Sequence, residues 1–258
     1  MTLNLPEASM ATIAIYGAGP ALGMAAARRF GREGFRVALV ARSRERLDAM
    51  ARDLEADGVE AAGFQADIVD RPAALRATDQ IEARFGAIDV LEYSPTPGHS
   101  PGGLFAGPFD VDVATITPLL DLYLLTPITL ARRLLPGMRD RDRGGLLFAM
   151  GAAAKYPMQQ LAVAGVALSG LRSYVHTLNS ALGETGVYAG ALLIGATIEN
   201  SQTHRRRTAL AIGERPQAVV PAGDLADHLW DMYTKRDRAE DVVAPALAGS
   251  ASRTEGTQ

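Results

Sequence analysis

Short apolar segments alternate with longer helical patterns along most of this chain, and this alternation limits the fold more than any other sequence feature. The apolar segments are continuous, which is typical of strands buried on both faces, and they occupy Thr12–Tyr16, Arg36–Val40, 63–66, Ile88–Glu92, Gly145–Met150 and Val187–Ile194. Helical spacing follows at 21–30, 44–57, 72–85, 113–139, 160–182 and 224–234. The sequence therefore predicts one α/β domain, built as a doubly wound parallel sheet with helices on both faces in three α/β/α layers.

Composition excludes several kinds of site. The 258 residues carry 26 basic and 29 acidic side chains, so no basic excess favours nucleic acid or a membrane surface. The absence of cysteine excludes disulfides, thiolate nucleophiles and cysteine-ligated metals, and we expect no metal site. No signal peptide is recognisable at the start, and no apolar run reaches the roughly 18 residues of a membrane helix. We therefore expect a cytoplasmic protein with a core at about 11–245 and flexible ends at 1–10 and 248–258.

A glycine-rich turn follows the first predicted strand and opens the first helix. Small residues let the backbone turn tightly there and approach a diphosphate, which then meets helix N–H groups and the positive end of the helix dipole. The residues that we assign to this contact are Gly17, Gly19, Ala21, Leu22 and Gly23. The strand–turn–helix context makes the motif typical of a Rossmann-type dinucleotide site, and the alternative is a tight turn without a ligand.

The end of the second predicted strand indicates which dinucleotide binds. An NAD site usually places an acidic residue there to hold the ribose hydroxyls, but this chain has Ala41 followed by Arg42. An arginine can pair with a 2′-phosphate, so the sequence predicts NADP(H) in preference to NAD(H). The alternative is that Arg42 begins a solvated helix, as we expect of Arg44 and Arg46.

Over about residues 11–245 the chain resembles the short-chain dehydrogenase/reductase family. Gly17 and Gly23 match the family's TGxxxGxG motif, with Ala21 at the middle glycine. The resemblance implies that Asp67 and Ile68 bind the adenine, although an ordinary helix-entry turn would also explain Asp67. It further assigns to the cofactor three residues that follow the fourth and sixth strands, namely Ser94, Gly195 and Thr197. It also implies a homodimer or homotetramer packed through the long fifth and sixth helices.

The family's usual catalytic residues are missing. Its chemistry rests on a Tyr-x-x-x-Lys pair, a serine and an asparagine, but the two lysines of this chain, Lys155 and Lys235, are preceded four residues earlier by Gly151 and Asp231. Alignment of the sixth helix places leucine and glycine at the tyrosine and lysine positions, and the serine falls within Ala149–Gly151. The resemblance therefore identifies an atypical member with a retained cofactor end and a changed chemical end.

Four residues are candidates for replacing the lost catalytic groups: Tyr156, Lys155, Tyr123 and Tyr93. Tyr156 and Lys155 follow the fifth strand, Tyr123 stands at the asparagine position, and Tyr93 ends the fourth strand. For each tyrosine the alternative is simple packing. Pro127 has no N–H for the carbonyl of Tyr123, so we expect a kinked helix with that carbonyl free.

Several polar residues stay open to two interpretations. Glu92 ends an apolar strand and is either paired with an arginine or a general acid. The run Arg205–Arg207 is either a solvated charge cluster or a contact for an anionic ligand, and we assign His99 and His176 to surface or packing roles.

The leading hypothesis from the sequence is an NADP(H)-binding oxidoreductase that reduces a small organic substrate with a nonstandard proton donor. One alternative is an NADP(H)-binding sensor or structural protein without turnover. Another is a non-redox enzyme, such as a cyclase, built on the same scaffold.

Overall fold

A computed structural model describes residues 10–96, 106–205 and 218–244. Its strands are β1 Thr12–Tyr16, β2 Arg36–Ala41, β3 Ala61–Gln65, β4 Val90–Tyr93, β5 Gly144–Gly151, β6 Val187–Ile194, β7 Thr197–Ile198, β8 Val219–Val220 and β9 Glu240–Val243. Its principal helices are α1 Leu22–Arg32, α2 Arg44–Ala56, α3 Arg71–Phe85, α4 Val113–Leu120, α5 Thr126–Asp140, α6 Ala162–Leu182 and α7 Ala222–Lys235. A π-helical turn, Asp121–Leu125, joins α4 to α5.

Seven strands form one parallel sheet in the order β3-β2-β1-β4-β5-β6-β9. The chain starts at the middle of the sheet, winds outward to β3, and returns to continue in the opposite direction from β4. This confirms the predicted doubly wound, three-layer architecture. In such a sheet, ligands bind beyond the carboxyl ends of the strands where the winding reverses, which here is between β1 and β4.

Alternate residues of the central strands enter two cores, one on each side of the sheet. Tyr16 and Tyr93 lie in the core on the side of α3, α5 and α6. Ile15 and Leu147 lie in the core on the side of α1 and α7. The central strands are buried along their whole length, which explains why their sequences are continuously apolar.

The last strand of the sheet was not predicted from the sequence, because β9 begins with Glu240 and Asp241. Both carboxylates are paired with neighbouring side chains: Glu240 with Lys155, Arg172 and His176, and Asp241 with His228 and Arg238. An edge strand can therefore carry two acids that its sequence pattern alone does not favour.

The helical stretch from Val113 to Asp140 bears on the expected absence of a membrane segment. Its 28 residues are long and apolar enough to cross a membrane by length and composition alone, although no single run of apolar letters is that long. A third of its most apolar window is buried inside the protein. Core helices that pack on a sheet satisfy the same criterion, so the expected absence of a membrane segment stays a prediction.

Candidate functional site

A cleft of about 1230 Å³ opens at the carboxyl ends of the central strands. The structure brings together in its walls every residue that the sequence assigned to the cofactor, namely Gly17, Gly19, Ala21, Leu22, Gly23, Arg42, Asp67, Ile68, Ser94, Gly195 and Thr197. These residues come from the ends of β1, β2, β3, β4 and β6, which are far apart in the sequence. Their convergence at the reversal point of the sheet is the arrangement expected of a dinucleotide cleft.

The glycine turn has the shape of a diphosphate cradle. Gly17 has a φ of 88°, and a Cβ there would lie 2.6 Å from the Cα of Pro95, so only glycine fits. At Gly19 a Cβ would lie 3.8 Å from the Gly17 carbonyl oxygen, an ordinary contact, so this position is less crowded than Gly17. Helix α1 begins at Leu22, and its N-cap residue, Ala21, has no side chain that could cap it, so the first turn is available to an anionic ligand.

Two arginines line the ribose end of the cleft. Arg42 is exposed, and its guanidinium makes no ion pair with any described residue. Arg46 also lines the cleft, although the sequence assigned it to a solvated helix. Arg44 instead turns to the carbonyl of Gly63 at 2.9 Å and to Asp48. Side chains on a helix point toward the helix N-terminus, and Arg42 lies just before the N-terminus of α2. This rule could have predicted that Arg46, in the first turn of α2, lies beside Arg42.

The adenine side of the cleft is formed by the segment after β3. Asp67 accepts a hydrogen bond from the backbone N–H of Val69 at 3.2 Å, which holds its carboxylate at the rim. The carbonyl of Ile68 accepts a hydrogen bond from the buried Thr126 hydroxyl at 2.9 Å. This bond fixes the segment to the start of α5, so the rim of the cleft is tied to the helix beneath it.

The side of the cleft formed by the end of β5 and the start of α6 is apolar. Its wall includes Ala149, Met150, Ala152, Ala153, Leu161, Ala164 and Leu168. Polar residues that also line the cleft include Tyr123, Gln160, Thr197, Ser201, Gln202 and Thr203. The Tyr123 hydroxyl has no hydrogen-bond partner among the described residues, and burial raises the pKa of this phenol above its ordinary value. Gln160 was missed from the sequence, because nothing in a loop pattern marks an amide as facing a cleft.

The π-helical turn places Tyr123 in the cleft wall. The Thr126 N–H donates to the Asp121 carbonyl, five residues back, so Pro127 leaves the carbonyl of Leu122 without its helical donor. The Tyr93 hydroxyl donates to that carbonyl at 2.5 Å. The irregularity predicted from Pro127 is therefore present, but the carbonyl with an outside partner is that of Leu122 and not that of Tyr123.

The four candidate catalytic residues are not brought together. Tyr123 lines the cleft, whereas Tyr93, Lys155 and Tyr156 are not among the residues that line it. Tyr93 is buried with its hydroxyl committed to the π turn. Lys155 lies 2.8 Å from Glu240 and 5.7 Å from the centre of the Tyr156 ring.

Glu240 anchors the loop that carries Lys155. Partial burial acts to raise the pKa of this carboxyl, but hydrogen bonds from Arg172, Lys155 and His176 outweigh burial and lower the pKa to about 2. His176 lies 2.9 Å from the carboxylate, which agrees with a packing role. Lys155 is thus part of an ion cluster on α6 and β9.

Glu92 lacks the arginine partner that one interpretation of the sequence required. It is fully buried on β4, and neither of its carboxyl oxygens has a hydrogen-bond partner among the described residues. Arg205 does line the cleft and donates to the Asn200 carbonyl. His99 and the arginines at 206 and 207 lie outside the described residues.

Comparison with known proteins identifies the family. The sequence profile described as short chain dehydrogenase matches residues 11–209, which is most of the chain. The chain therefore belongs to the short chain dehydrogenase family, as the glycine turn and the sheet order indicate.

Individual relatives are distant. A Streptomyces virginiae protein, whose name describes it as a ketoacyl reductase of the monensin polyketide synthase, is 27% identical over 250 residues, covering 90% of this chain and 93% of that protein. A short chain dehydrogenase of Pseudocercospora fijiensis is 26% identical over 72% of this chain, but the match spans only 59% of that relative.

Two solved structures show the same fold. A variant of actinorhodin polyketide ketoreductase with NADPH has a TM-score of 0.79 at 21% identity, over 93% of this chain and 98% of that one. A metagenomic short-chain oxidoreductase with NADP has a TM-score of 0.73 at 25% identity, over 92% and 98% of the two chains.

Proposed function

We propose that this protein is an atypical NADP(H)-dependent reductase that acts on the carbonyl group of a small, largely apolar substrate, with Tyr123 as the proton donor. The observation that carries this proposal is the unpartnered Tyr123 hydroxyl in the wall of the cleft. A buried phenol without a partner inside the protein leaves a hydrogen bond for a ligand to complete.

The cleft residues fit an NADP(H) cofactor. The turn from Gly17 to Gly23 would hold the diphosphate. Arg42 with Arg46 would hold the 2′-phosphate, because both line the cleft and neither is in an ion pair with another described residue. The solved relatives that contain NADPH or NADP share this fold, which supports the same cofactor here.

When bound, the cofactor would supply the hydride, so the protein needs to orient a carbonyl and provide a proton. Tyr123 would donate a hydrogen bond to the carbonyl oxygen and then its proton, since an alkoxide is a stronger base than a phenolate. Gln160 offers amide N–H donors to the same oxygen. The apolar walls would exclude water and favour a substrate with little charge.

Tyr123→Phe tests the proton donor. We expect NADPH affinity to stay within twofold of the parent protein, while kcat on the best member of a carbonyl panel falls by roughly 10²-fold or more. Tyr156→Phe is the matched control, because it removes a phenol outside the cleft, and its kcat should stay near that of the parent protein.

Equal rates for both variants would contradict the role of Tyr123. Calorimetric titration with NADPH, NADP and NADH comes first, since a protein that binds none of them does not have the proposed function.

The missing Tyr-x-x-x-Lys pair supports a second candidate, an NADP(H)-binding sensor or structural protein without turnover. Tight NADPH binding without oxidation by carbonyl, imine or enone compounds would favour this candidate. A non-redox reaction in the same cleft, such as a cyclisation, is the third, and it predicts product formation with no change in NADPH absorbance.

A further inference from the structure

Glu92 occupies a position where a charge is costly. It is fully buried on β4 between Ile15 of β1 and Leu147 of β5, its register neighbours. Alternation along the strand places it on the same face as Val90, in the core covered by α1 and α7. An isolated carboxylate is unfavourable in such surroundings, so the acid is held in its neutral form.

The titration of Glu92 follows from this environment. Burial raises its pKa to about 8, and the nearby Ser94 hydroxyl acts in the opposite direction. At neutral pH the group is therefore a carboxylic acid with a proton to donate. The Ser94 hydroxyl oxygen is also buried and, like both Glu92 oxygens, has no hydrogen-bond partner among the described residues.

Ser94 connects Glu92 to the cleft. It lines the cleft, and its backbone N–H donates to the Tyr16 carbonyl at 3.1 Å. The next residue, Pro95, touches Gly17 at the start of the diphosphate cradle. Ser94 thus lies directly beside the turn that would hold an anionic ligand.

We propose that Glu92 and Ser94 form a hydrogen-bond relay whose direction decides whether the cleft accepts anionic ligand oxygens. When Glu92 is protonated, it donates to the Ser94 oxygen, and the Ser94 hydroxyl then donates to a ligand oxygen. When Glu92 loses its proton, the carboxylate accepts the Ser94 hydroxyl. Ser94 then presents only lone pairs and a buried negative charge to the ligand. This inference rests on the proposed NADP(H) cofactor, and it makes Glu92 a positioning residue.

Among the described residues, no other titratable group in the core around Glu92 offers the same switch. The residues of α1 and α7 in that core are apolar apart from Trp230, which does not titrate, and Tyr233, whose pKa is raised by burial. The charged or ionisable residues of these two helices are Arg28, Arg29, Arg32, Asp224, Asp227, His228, Asp231 and Lys235, and all of them except Arg32 and Asp224 are paired with another side chain. Those of the cleft are Arg42, Arg46, Asp67 and Arg205, and burial raises the pKa of Tyr123 out of the relevant range.

Calorimetric titration with NADPH between pH 7 and pH 9.5 tests the relay. The range starts above the second pKa of a phosphate monoester, near 6, so the 2′-phosphate does not change charge within it. We expect a constant Kd up to about pH 7.5 and, above pH 8, a Kd that rises up to tenfold per pH unit, with uptake of one proton on binding.

Two variants at the relay separate it from general effects of pH. Glu92→Gln keeps a donor N–H and cannot ionise, so its Kd should match the parent protein at pH 7 and stay constant to pH 9.5. Ser94→Ala removes the link, so its Kd should be higher at pH 7 and less dependent on pH. Glu184→Gln, at an exposed site away from the cleft, should keep the full pH dependence.

A parent protein whose Kd does not change with pH, or a Glu92→Gln variant with the parent's pH profile, overturns the relay alone. Absence of NADPH binding at every pH overturns the cofactor proposal and the relay together, so the two failures are distinguishable.

Discussion

The proposed preference for NADP(H) assigns a central role to Arg42, an exposed residue with no ion pair among the described residues. Arg42→Ala should weaken NADPH binding by roughly 10- to 100-fold, because a charge-assisted contact contributes about 1.5–3 kcal/mol. NADH lacks the 2′-phosphate, so its affinity should change little. Calorimetric titration of both cofactors measures the difference.

Arg44→Ala is the control for Arg42. Arg44 has the same charge two residues later but contacts Gly63 and Asp48 instead of the cleft. Similar losses of NADPH affinity in both variants would show that overall charge, and not a 2′-phosphate contact, sets the preference.

Residues whose roles are local could be predicted from the sequence. Gly17 is needed because of a turn conformation, and Arg42 stands at a fixed distance from the end of β2, so pattern and position were sufficient. Lys155 and Glu92 could not be placed in this way. The partner of Lys155 is on β9, 85 positions away, and the state of Glu92 depends on strands β1 and β5 beside it and on helices α1 and α7 that cover it.

At the scale of elements, the junction of α4 and α5 depends on a bond from a distant strand. Tyr93→Phe removes the donor to the Leu122 carbonyl and should lower the free energy of unfolding by about 1–2 kcal/mol. Pro127→Ala restores a backbone N–H that can donate to that carbonyl, so Tyr93→Phe should lower the free energy of unfolding by less in the Pro127→Ala protein than in the parent. Urea denaturation of the parent, both single variants and the double variant gives the coupling free energy between the two positions.

Additive effects of the two changes would show that Tyr93 and Pro127 act independently of the freed carbonyl. The sequence predicted a disturbance at Pro127 from its missing N–H alone. It could not predict a π turn, because the hydrogen-bond register is chosen by packing against β4 and α6.

At the scale of the molecule, the apolar surface of α6 bears on the predicted homodimer or homotetramer. Ala164 and Ala167 are buried within the chain, but Val166 is 54% exposed and Leu125, on the adjoining π turn, is 42% exposed. Exposed apolar residues on neighbouring elements favour a self-association surface.

Val166→Arg tests that surface. Light scattering during size-exclusion chromatography should show a dimer or tetramer for the parent protein and a shift toward the 27.3 kDa monomer for the variant. Val219→Arg, at a similarly exposed valine on β8, should leave the mass unchanged. A monomeric parent protein would disprove the predicted assembly.

The doubly wound parallel sheet was predictable in outline, because strands and helices alternate along the chain and the crossovers between parallel strands have a fixed hand. The last strand of the sheet was not predictable, because two of the four residues of β9, Glu240 and Asp241, are charged and only two are apolar. The single domain and the cytoplasmic location stay predictions.

The Glu240 cluster has a consequence for how the protein is made. During translation, β1 to α3 emerge first and pair with near neighbours in the sequence, so this half can begin to fold early. Lys155, Arg172 and His176 emerge long before the carboxylate with which they pair. The loop that follows β5 is therefore anchored only when the ribosome has delivered β9, and a chain stalled before residue 240 would hold two cationic groups, Lys155 and Arg172, with no counter-ion in that cluster.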